Sequence, residues 1–469
     1  MSLKIKSSIF FNFIPAILFL IYFIIVIYFR PLIPIAETRY VAVAWEMFLN
    51  KNFLSTLTLN FEPYHHKPPL LFWLINIFWI IFGVSKFGAT IPTFIFSVLF
   101  IIFSRILAKK LFPDTKLVYR LIPLLTIGSL PFIIYGTVIM FDVALGAITL
   151  LAIILFLKFL DNNNYKTSIA IGFLVGLGIL MKGPVSLLYT LVVIVFSKFW
   201  IGKKNYSVKI YIGFVVIIFV SLIPPILWLI PILQESTDQF AYFLIWKQTV
   251  GRITGDFEDA NTHARPFWFY LPLLILFVLP WCFLPKFLKN LFFLRDQLNN
   301  HSIKFLLFWI IPLILIFSLI KGKQAHYLIP ILPGIIILIS FLVYNSYKII
   351  FYISNFLLGS LILIHLTIPD KIFKNYDTRF VADILKKNGD KPIAFYGKKY
   401  QGELTFYTNI TRKIDNLDHK NVGEWLKKNK KGIVITVLSI NDPTFNVNKY
   451  KILAQTKYRG SVMSLISNY

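Results

Sequence analysis

Apolar residues along this chain come in runs too long for the core elements of a water-soluble fold. Such runs lie near 9–29, 69–83, 88–107, 118–141, 143–157, 168–181, 185–200, 209–232, 267–285, 304–320, 327–344 and 348–368. A helix that crosses a bilayer needs about 20 apolar residues, so the pattern predicts a polytopic bundle of membrane-spanning helices. Three hydrophilic stretches interrupt it: 30–68, 233–266 and everything after 369. The opening segment, Met1 to Ser8 followed by the run Ile9 to Tyr28, has the outline of a signal peptide. The run is too long for the apolar core of one and no small-residue cleavage site follows, so it is expected to be the first span.

Orientation follows from Lys and Arg near helix ends, which favour the cytoplasm. Lys4 and Lys6 keep the N-terminus inside, which puts 30–68 outside. Lys198, Lys203, Lys204 and Lys209 mark another inner loop, as do Lys286, Lys289, Arg295 and Lys304, so that 233–266 and the tail fall outside. Twelve spans would return the tail to the cytoplasm. The expected repair is two short crossings within 113–141, broken by Pro113, Pro123 and Pro131, for about thirteen spans.

After residue 369 the pattern changes. Asp377–Lys387 has helical periodicity, Pro392–Tyr396 reads as a short strand, Val422–Lys428 as a helix and Gly432–Leu438 as a buried strand. Alternation of this kind over about 100 residues predicts a small α/β domain outside the membrane. The expected division is therefore a membrane domain at 1–369, with outer loops 30–68 and 233–266, and a periplasmic domain at 370–469.

Composition supports this. The 469 residues are 57% apolar and 15% charged, against about 25% charged in soluble domains, and mean hydropathy is +0.72. Lys and Arg number 48 against 21 Asp and Glu, a net +27. In this setting the excess belongs to cytoplasmic loops and anionic headgroups rather than to nucleic acid. One cysteine, Cys282, cannot form an intramolecular disulfide or a Cys-based zinc site.

Ionisable residues at membrane depth or at a span's mouth mark function when they face a cavity. The outer loop 30–68 is rich in them. Ala36-Glu37-Thr38-Arg39-Tyr40 follows the first run, and Tyr64-His65-His66-Lys67-Pro68-Pro69-Leu70 opens the second. Residues 37–50 read as a short interfacial helix. An amphipathic connector with snorkelling cations is the plainer alternative, but Lys67 directly before two prolines is not a typical snorkelling position. Asp142 interrupts the apolar stretch Ile139–Leu145, where a carboxylate needs a cation, a metal or water, or else lies in headgroup water. Lys182 precedes Gly183-Pro184 on the expected outer face. Arg252 and His263 lie in the second outer loop, where the aromatic cluster Phe267–Tyr270 suits an interfacial belt. Lys321 and Lys323 lead to Tyr327. Lys67, Lys182, Arg252, Lys321 and Lys323 are thus expected to converge on one outer pocket, a set that suits an anionic ligand such as a phosphate.

In this order the motifs resemble the polytopic glycosyltransferases of the dolichyl-phosphate-mannose protein mannosyltransferase superfamily, in the branch that includes the lipid A 4-amino-4-deoxy-L-arabinose transferase. The residues that carry the resemblance are Glu37-x-Arg39-Tyr40, Lys67-Pro68-Pro69-Leu70, Asp142 with Leu145, Lys182-Gly183-Pro184, His263-x-x-Pro266-Phe267-Trp268 and Lys321-x-Lys323-x-x-x-Tyr327-x-x-Pro330-x-x-Pro333. Four positions depart from it. Ala36 stands where relatives often have Asp, and His66 where many have Glu; Thr90 and Thr137 stand where relatives often have Arg.

The resemblance implies a GT-C fold and an inverting transfer of sugar from a polyprenyl-phosphate donor at the outer face of the inner membrane. It implies a lipid or glycolipid acceptor, lipid A or another lipopolysaccharide component first and protein O-glycosylation second. No obligatory cofactor follows, a divalent metal being possible, and the chain is expected to act as a monomer without nucleic acid. A leaving lipid phosphate needs fixed cations in a poorly hydrated site: Lys67, Lys182, Arg252, Lys321 and Lys323. A hydroxyl acceptor needs a general base, for which Glu37 or Asp142 would serve, with Glu46 and Glu62 as fallbacks. A phosphate acceptor is already an oxyanion and needs none. Arg39, Tyr40, Tyr64, His66, His263 and Tyr327 are the expected substrate-binding residues. A lipid transporter or flippase is the alternative from another class; it predicts charges near mid-span and pseudo-repeats, whereas here the charges lie at span mouths and no repeat is visible. An inactive lipid-binding relative is a further alternative, suggested by Ala36 and His66.

Overall fold

The computed structural model describes residues 2–51, 53–202, 208–235, 237–251, 254, 264–397, 399–418, 421–439 and 445–468. Among these, six helices are long and apolar enough to cross a membrane: Lys86–Leu111, Phe141–Asn162, Tyr165–Lys182, Val208–Glu235, His301–Leu319 and the nearly continuous Ala325–Thr367. Leu70–Phe82 and Ser186–Val195 are apolar but shorter. The two crossings expected within 113–141 do not form. Pro123 lies inside Lys116–Ile127 without ending it, and the piece after the Gly128-Ser129 break, Leu130–Tyr135, has six residues. At 1.5 Å per residue that piece rises about 9 Å, against about 30 Å of hydrocarbon.

The chain folds into two compact units. The first comprises Met1–Phe23, His65–Leu71 and Thr90–Ile362; the second comprises Ile24–Tyr64, Phe72–Ala89 and Leu363–Tyr469. The compact unit that holds the tail thus takes it up from Leu363 and also includes most of the first outer loop.

In the first unit Phe141–Asn162 is the most enclosed of the long helices that form one unbroken α-helix. It packs on Tyr165–Lys182, which in turn packs along Val208–Glu235. Small residues allow the second packing. A Cβ at Gly172 would meet Val220 Cβ at 2.7 Å, and one at Gly176 would meet Pro224 Cγ at 2.7 Å. Without a hydrophobic drive between helices in lipid, such close backbone approach supplies the packing energy. Tyr165–Lys182 stops at Gly183, whose φ of +87° suits only glycine. That stop leaves Lys182 at the helix end.

In the second unit the expected α/β domain is present. Its mixed sheet has the order β4-β3-β5-β7-β6, with β3 Ile393–Tyr396, β4 Asp415–Leu417, β5 Ile433–Ser439, β6 Lys451–Tyr458 and β7 Ser461–Ser467. The two-residue strands Thr58–Leu59 and Glu62–Pro63, β1 and β2, form a separate hairpin in the outer loop. β3 pairs in parallel with β4 and β5, and β5, β7 and β6 are antiparallel neighbours. Alternation along β3 feeds two cores. Ile393 and Phe395 pack with Val381, Ala382 and Leu385 of the helix Arg379–Lys386, and Ala394 and Tyr396 pack with Val422 and Leu426 of Val422–Lys428.

The outer-loop helix Glu37–Asn50 is buried along most of its length against this domain. Trp45 Nε1 donates to the Ile410 carbonyl at 3.0 Å. Asn60 Nδ2 donates to the Ile414 carbonyl at 2.9 Å while its Oδ1 accepts from Ile414 N at 2.8 Å. Asn60 thus pairs with Ile414 as a neighbouring strand would.

Candidate active site

Lys182 reaches a cavity of the first unit from the end of its helix. Its ammonium pairs with Asp142 Oδ1 and lies 4.6 Å from the centre of the Tyr327 ring. Asp142 sits in the first turn of Phe141–Asn162, where the helix dipole favours a carboxylate. It is buried, and its Oδ2 has no hydrogen-bond partner. Tyr189 OH donates to the Tyr327 carbonyl at 2.8 Å and holds that segment in place.

The cavity is about 380 Å³ in volume. His65, His66, Lys67, Lys182, Gln248 and Tyr327 contribute polar groups to its wall; most of the remainder is apolar, including Ile179, Leu188, Trp228, Ile245 and Phe317. The His65 and His66 rings stack with centroids 4.6 Å apart, and His65 also meets Phe243 at 5.3 Å. Lys67 lies 5.6 Å from the Phe141 ring centre, next in sequence to Asp142. Two ammonium groups and two imidazoles therefore share a largely apolar chamber, and no carboxylate lines it among the described residues.

The other expected cations have different fates. Lys323 is buried, and its Nζ donates to the carbonyls of Arg265 at 3.0 Å and Ile320 at 2.5 Å; burial lowers its pKa. It pins the 264–265 segment beside the bridge between Ala264 and Gly322. Lys321 is exposed and does not line the cavity. Arg252 and His263 lie outside the described residues.

Glu37, Arg39, Tyr40 and Tyr64 belong to the second unit. The fully buried Glu37 carboxylate is occupied: Oε1 accepts from Arg30 Nη2 at 3.0 Å, and Oε2 accepts from Arg30 Nη1 and from Ile33 N at 2.8 Å. Lys86 Nζ donates to the carbonyls of Ile27 and Arg30 at the same corner, and Leu32 N donates to Tyr407 OH at 2.7 Å. This carboxylate fastens a turn. Arg39 donates to Gln401 Oε1 at 3.3 Å and lies over the Tyr40 ring at 5.6 Å; the rings of Tyr40 and Tyr64 both meet Phe72.

The fallback acids are likewise occupied. Glu46 accepts from Asn60 N at 2.6 Å and Phe61 N at 2.9 Å, with its pKa raised mainly by burial. Glu62 pairs with Lys413 at 2.9 Å, which lowers its pKa. Of the threonines that replace arginine, Thr137 is buried and donates to the Ile134 carbonyl at 3.2 Å, and Thr90 is buried.

Arg30, Lys86 and the cavity residues Gln248 and Trp228 escape a reading of the sequence. Arg30 and Lys86 stand at the ends of apolar runs, where a cation reads as an anchor; the spacing of Arg30 seven residues before Glu37 is the one usable signal. Among the described residues, no three of His, Cys, Asp and Glu group so as to hold a metal ion. Asp142, the buried carboxylate beside the cavity's Lys182, is bound to that ammonium, so the donor set among the described residues does not fit a resident divalent metal.

Comparison with known proteins matches residues 66–228 to the family model described as dolichyl-phosphate-mannose-protein mannosyltransferase. An undecaprenyl phosphate-alpha-4-amino-4-deoxy-L-arabinose arabinosyl transferase of Pseudomonas fluorescens is 27% identical over 308 residues, covering 63% of this chain and 53% of the relative. One from Proteus mirabilis is 26% identical over 309 residues, covering 65% and 54%. The chain spans about half the length of these curated relatives. The crystal structure of ArnT from Cupriavidus metallidurans bound to undecaprenyl phosphate superposes with a TM-score of 0.73 at 15% identity, covering 98% of both chains; its apo form gives 0.74. The expected GT-C architecture with a small C-terminal sheet domain is therefore present: the chain has the fold of ArnT, and residues 66–228 match the mannosyltransferase family model.

Proposed function

We propose that this protein is an inverting glycosyltransferase of the bacterial inner membrane that takes a sugar from a polyprenyl-phosphate donor. The acceptor is lipid A or another lipopolysaccharide component on the periplasmic side. One observation carries the proposal: Lys67 and Lys182 lie together in the wall of a largely apolar cavity. Apolar walls suit a prenyl chain, and two ammonium groups suit the phosphate at its head. The sequence similarity to transferases whose names specify an undecaprenyl-phosphate-linked sugar supports the same donor class.

In the transfer, an acceptor oxygen forms a bond to the anomeric carbon while the bond from that carbon to the phosphate oxygen breaks. The phosphate leaves with the electron pair. Lys67 and Lys182 hold the growing negative charge where water cannot screen it. Asp142 acts through Lys182 as a positioning residue: its Oδ1 fixes the ammonium that the leaving phosphate needs. With no carboxylate in the cavity wall among the described residues, an acceptor that is already an oxyanion, such as a lipid phosphate, suits the site better than a hydroxyl. His66 is the candidate base for a hydroxyl acceptor. Tyr327, in the cavity wall, remains a candidate for contacts with sugar or acceptor, and the protein is proposed to act as a monomer.

Mass spectrometry of lipid A and core from a deletion strain tests the acceptor. Loss of one sugar, restored by wild type but not by Lys67→Ala, is the expected result. An unchanged lipopolysaccharide together with altered glycopeptides would move the acceptor to protein. A wild-type protein that moves lipid without cleaving the sugar–phosphate bond would favour a flippase.

A further inference from the structure

The segment that links the helix Tyr347–Thr367 to the C-terminal sheet exposes large apolar side chains that the rest of the domain's described surface almost lacks. The helix ends at Thr367, and Pro369 opens the short helix Pro369–Phe373. The chain that follows is tied to the β6–β7 hairpin. The Asn375 carbonyl accepts from Arg459 N at 2.7 Å, the Asp377 carbonyl accepts from Thr456 Oγ1 at 3.3 Å, and the Asp377 carboxylate pairs with Arg379. In the next helix Val381, Ala382 and Leu385 fill the core.

On this fixed backbone Ile368 is 41% exposed, Ile372 37%, Tyr376 40% and Phe380 61%. Among the described residues of the domain, the only other large hydrophobic side chain so exposed is Ile452, on β6 itself. Four of these five thus fall within thirteen residues, so scatter of single surface hydrophobics does not account for them. They continue the apolar exposed side of the helix before them, where Leu363, Ile364 and Leu366 are exposed. Lys371 and Lys374 stand exposed between them. Aliphatic and aromatic side chains interspersed with lysines, directly after a membrane helix, have the chemistry of a segment lying in the bilayer interface.

We propose that Ile368, Ile372, Tyr376 and Phe380 seat the C-terminal domain in the outer headgroup layer of the membrane, with Lys371 and Lys374 at lipid phosphates. The seat does not depend on the transfer reaction. It makes the domain a peripheral membrane element, not one suspended in the periplasm on a flexible tether.

The single cysteine makes the test clean. In a Cys282→Ser background, Ile372→Cys, Phe380→Cys and the exposed control Asp390→Cys are labelled with an environment-sensitive fluorophore. The full chain is then reconstituted in phosphatidylethanolamine/phosphatidylglycerol vesicles. Labels at 372 and 380 should emit to the blue of the label at 390, lose several-fold more intensity to lipids bearing a nitroxide near the headgroup, and resist aqueous iodide. Labels at 372 and 380 that follow the one at 390 would overturn the proposal. So would labels shielded from both quenchers, which would place a protein on this face instead.

Discussion

Two buried ion pairs, one in each unit, carry opposite lessons. Arg30 and Glu37 meet two oxygens with two nitrogens, and Ile33 N adds a third bond to the same carboxylate. The pair closes a corner together with Lys86 and Tyr407. Lys182 and Asp142 share one contact, one carboxylate oxygen is left without a partner, and the ammonium lies on a cavity wall. A pair whose carboxylate has both oxygens engaged is a fastening. A pair with an unsatisfied oxygen and a cavity-facing cation keeps interaction capacity for a ligand, at a cost in folding free energy that a purely structural pair has no reason to carry.

The sharpest way to break this contrast is to neutralise each pair whole, which avoids stranding a buried charge. Asp142→Asn with Lys182→Met should lower sugar transfer by about 10²–10³-fold, the usual loss when a fixed electrostatic donor is removed, with thermal unfolding near wild type. Arg30→Met with Glu37→Gln should keep transfer within about tenfold. Equal losses in steady-state transfer assays would erase the distinction. Removing one partner sharpens it: Glu37→Gln alone leaves the Arg30 charge buried and should cost about 3–5 kcal/mol in unfolding free energy, read as a lower midpoint in thermal scans.

A third test concerns Glu403, which burial raises to about 7 from 4.5. A carboxyl with a raised folded pKa binds its proton more tightly when folded. Its contribution is complete below pH 4.5 and is lost as pH rises to about 7, a change on the order of 3 kcal/mol. Glu403→Gln should flatten that part of the stability profile; an unaltered slope would refute the assignment. The smallest effect is expected at Lys321, exposed and away from the cavity wall: Lys321→Ala should change transfer by less than about twofold, as usual for an exposed charge.

Much of the fold is legible in the sequence because lipid makes hydrophobicity nearly the whole signal. The C-terminal elements with buried faces are also visible, and Val422–Lys428 and Ile433–Ser439 lie where the pattern puts them. The edge strand β6, with Lys451, Gln455, Thr456 and Lys457, offers a polar pattern and escapes notice, as does the three-residue β4. Charges are harder to interpret because a sequence shows where they are and not what they meet. Lys182 and Lys323 both look like cations misplaced on the outer side, yet one meets a carboxylate at a cavity and the other two backbone carbonyls. Glu37 looks like a free base because its partner, Arg30, is hidden in the boundary of an apolar run.

The central claim is that Lys67 and Lys182 hold the phosphate of a lipid-linked sugar donor while its sugar departs. Purified protein in vesicles, given an undecaprenyl-phosphate-linked radiolabelled sugar and lipid A, should release undecaprenyl phosphate and label lipid A. Lys67→Ala and the Asp142→Asn/Lys182→Met pair should each slow both products by about 10²-fold or more. Transfer at the wild-type rate in these variants would contradict the account.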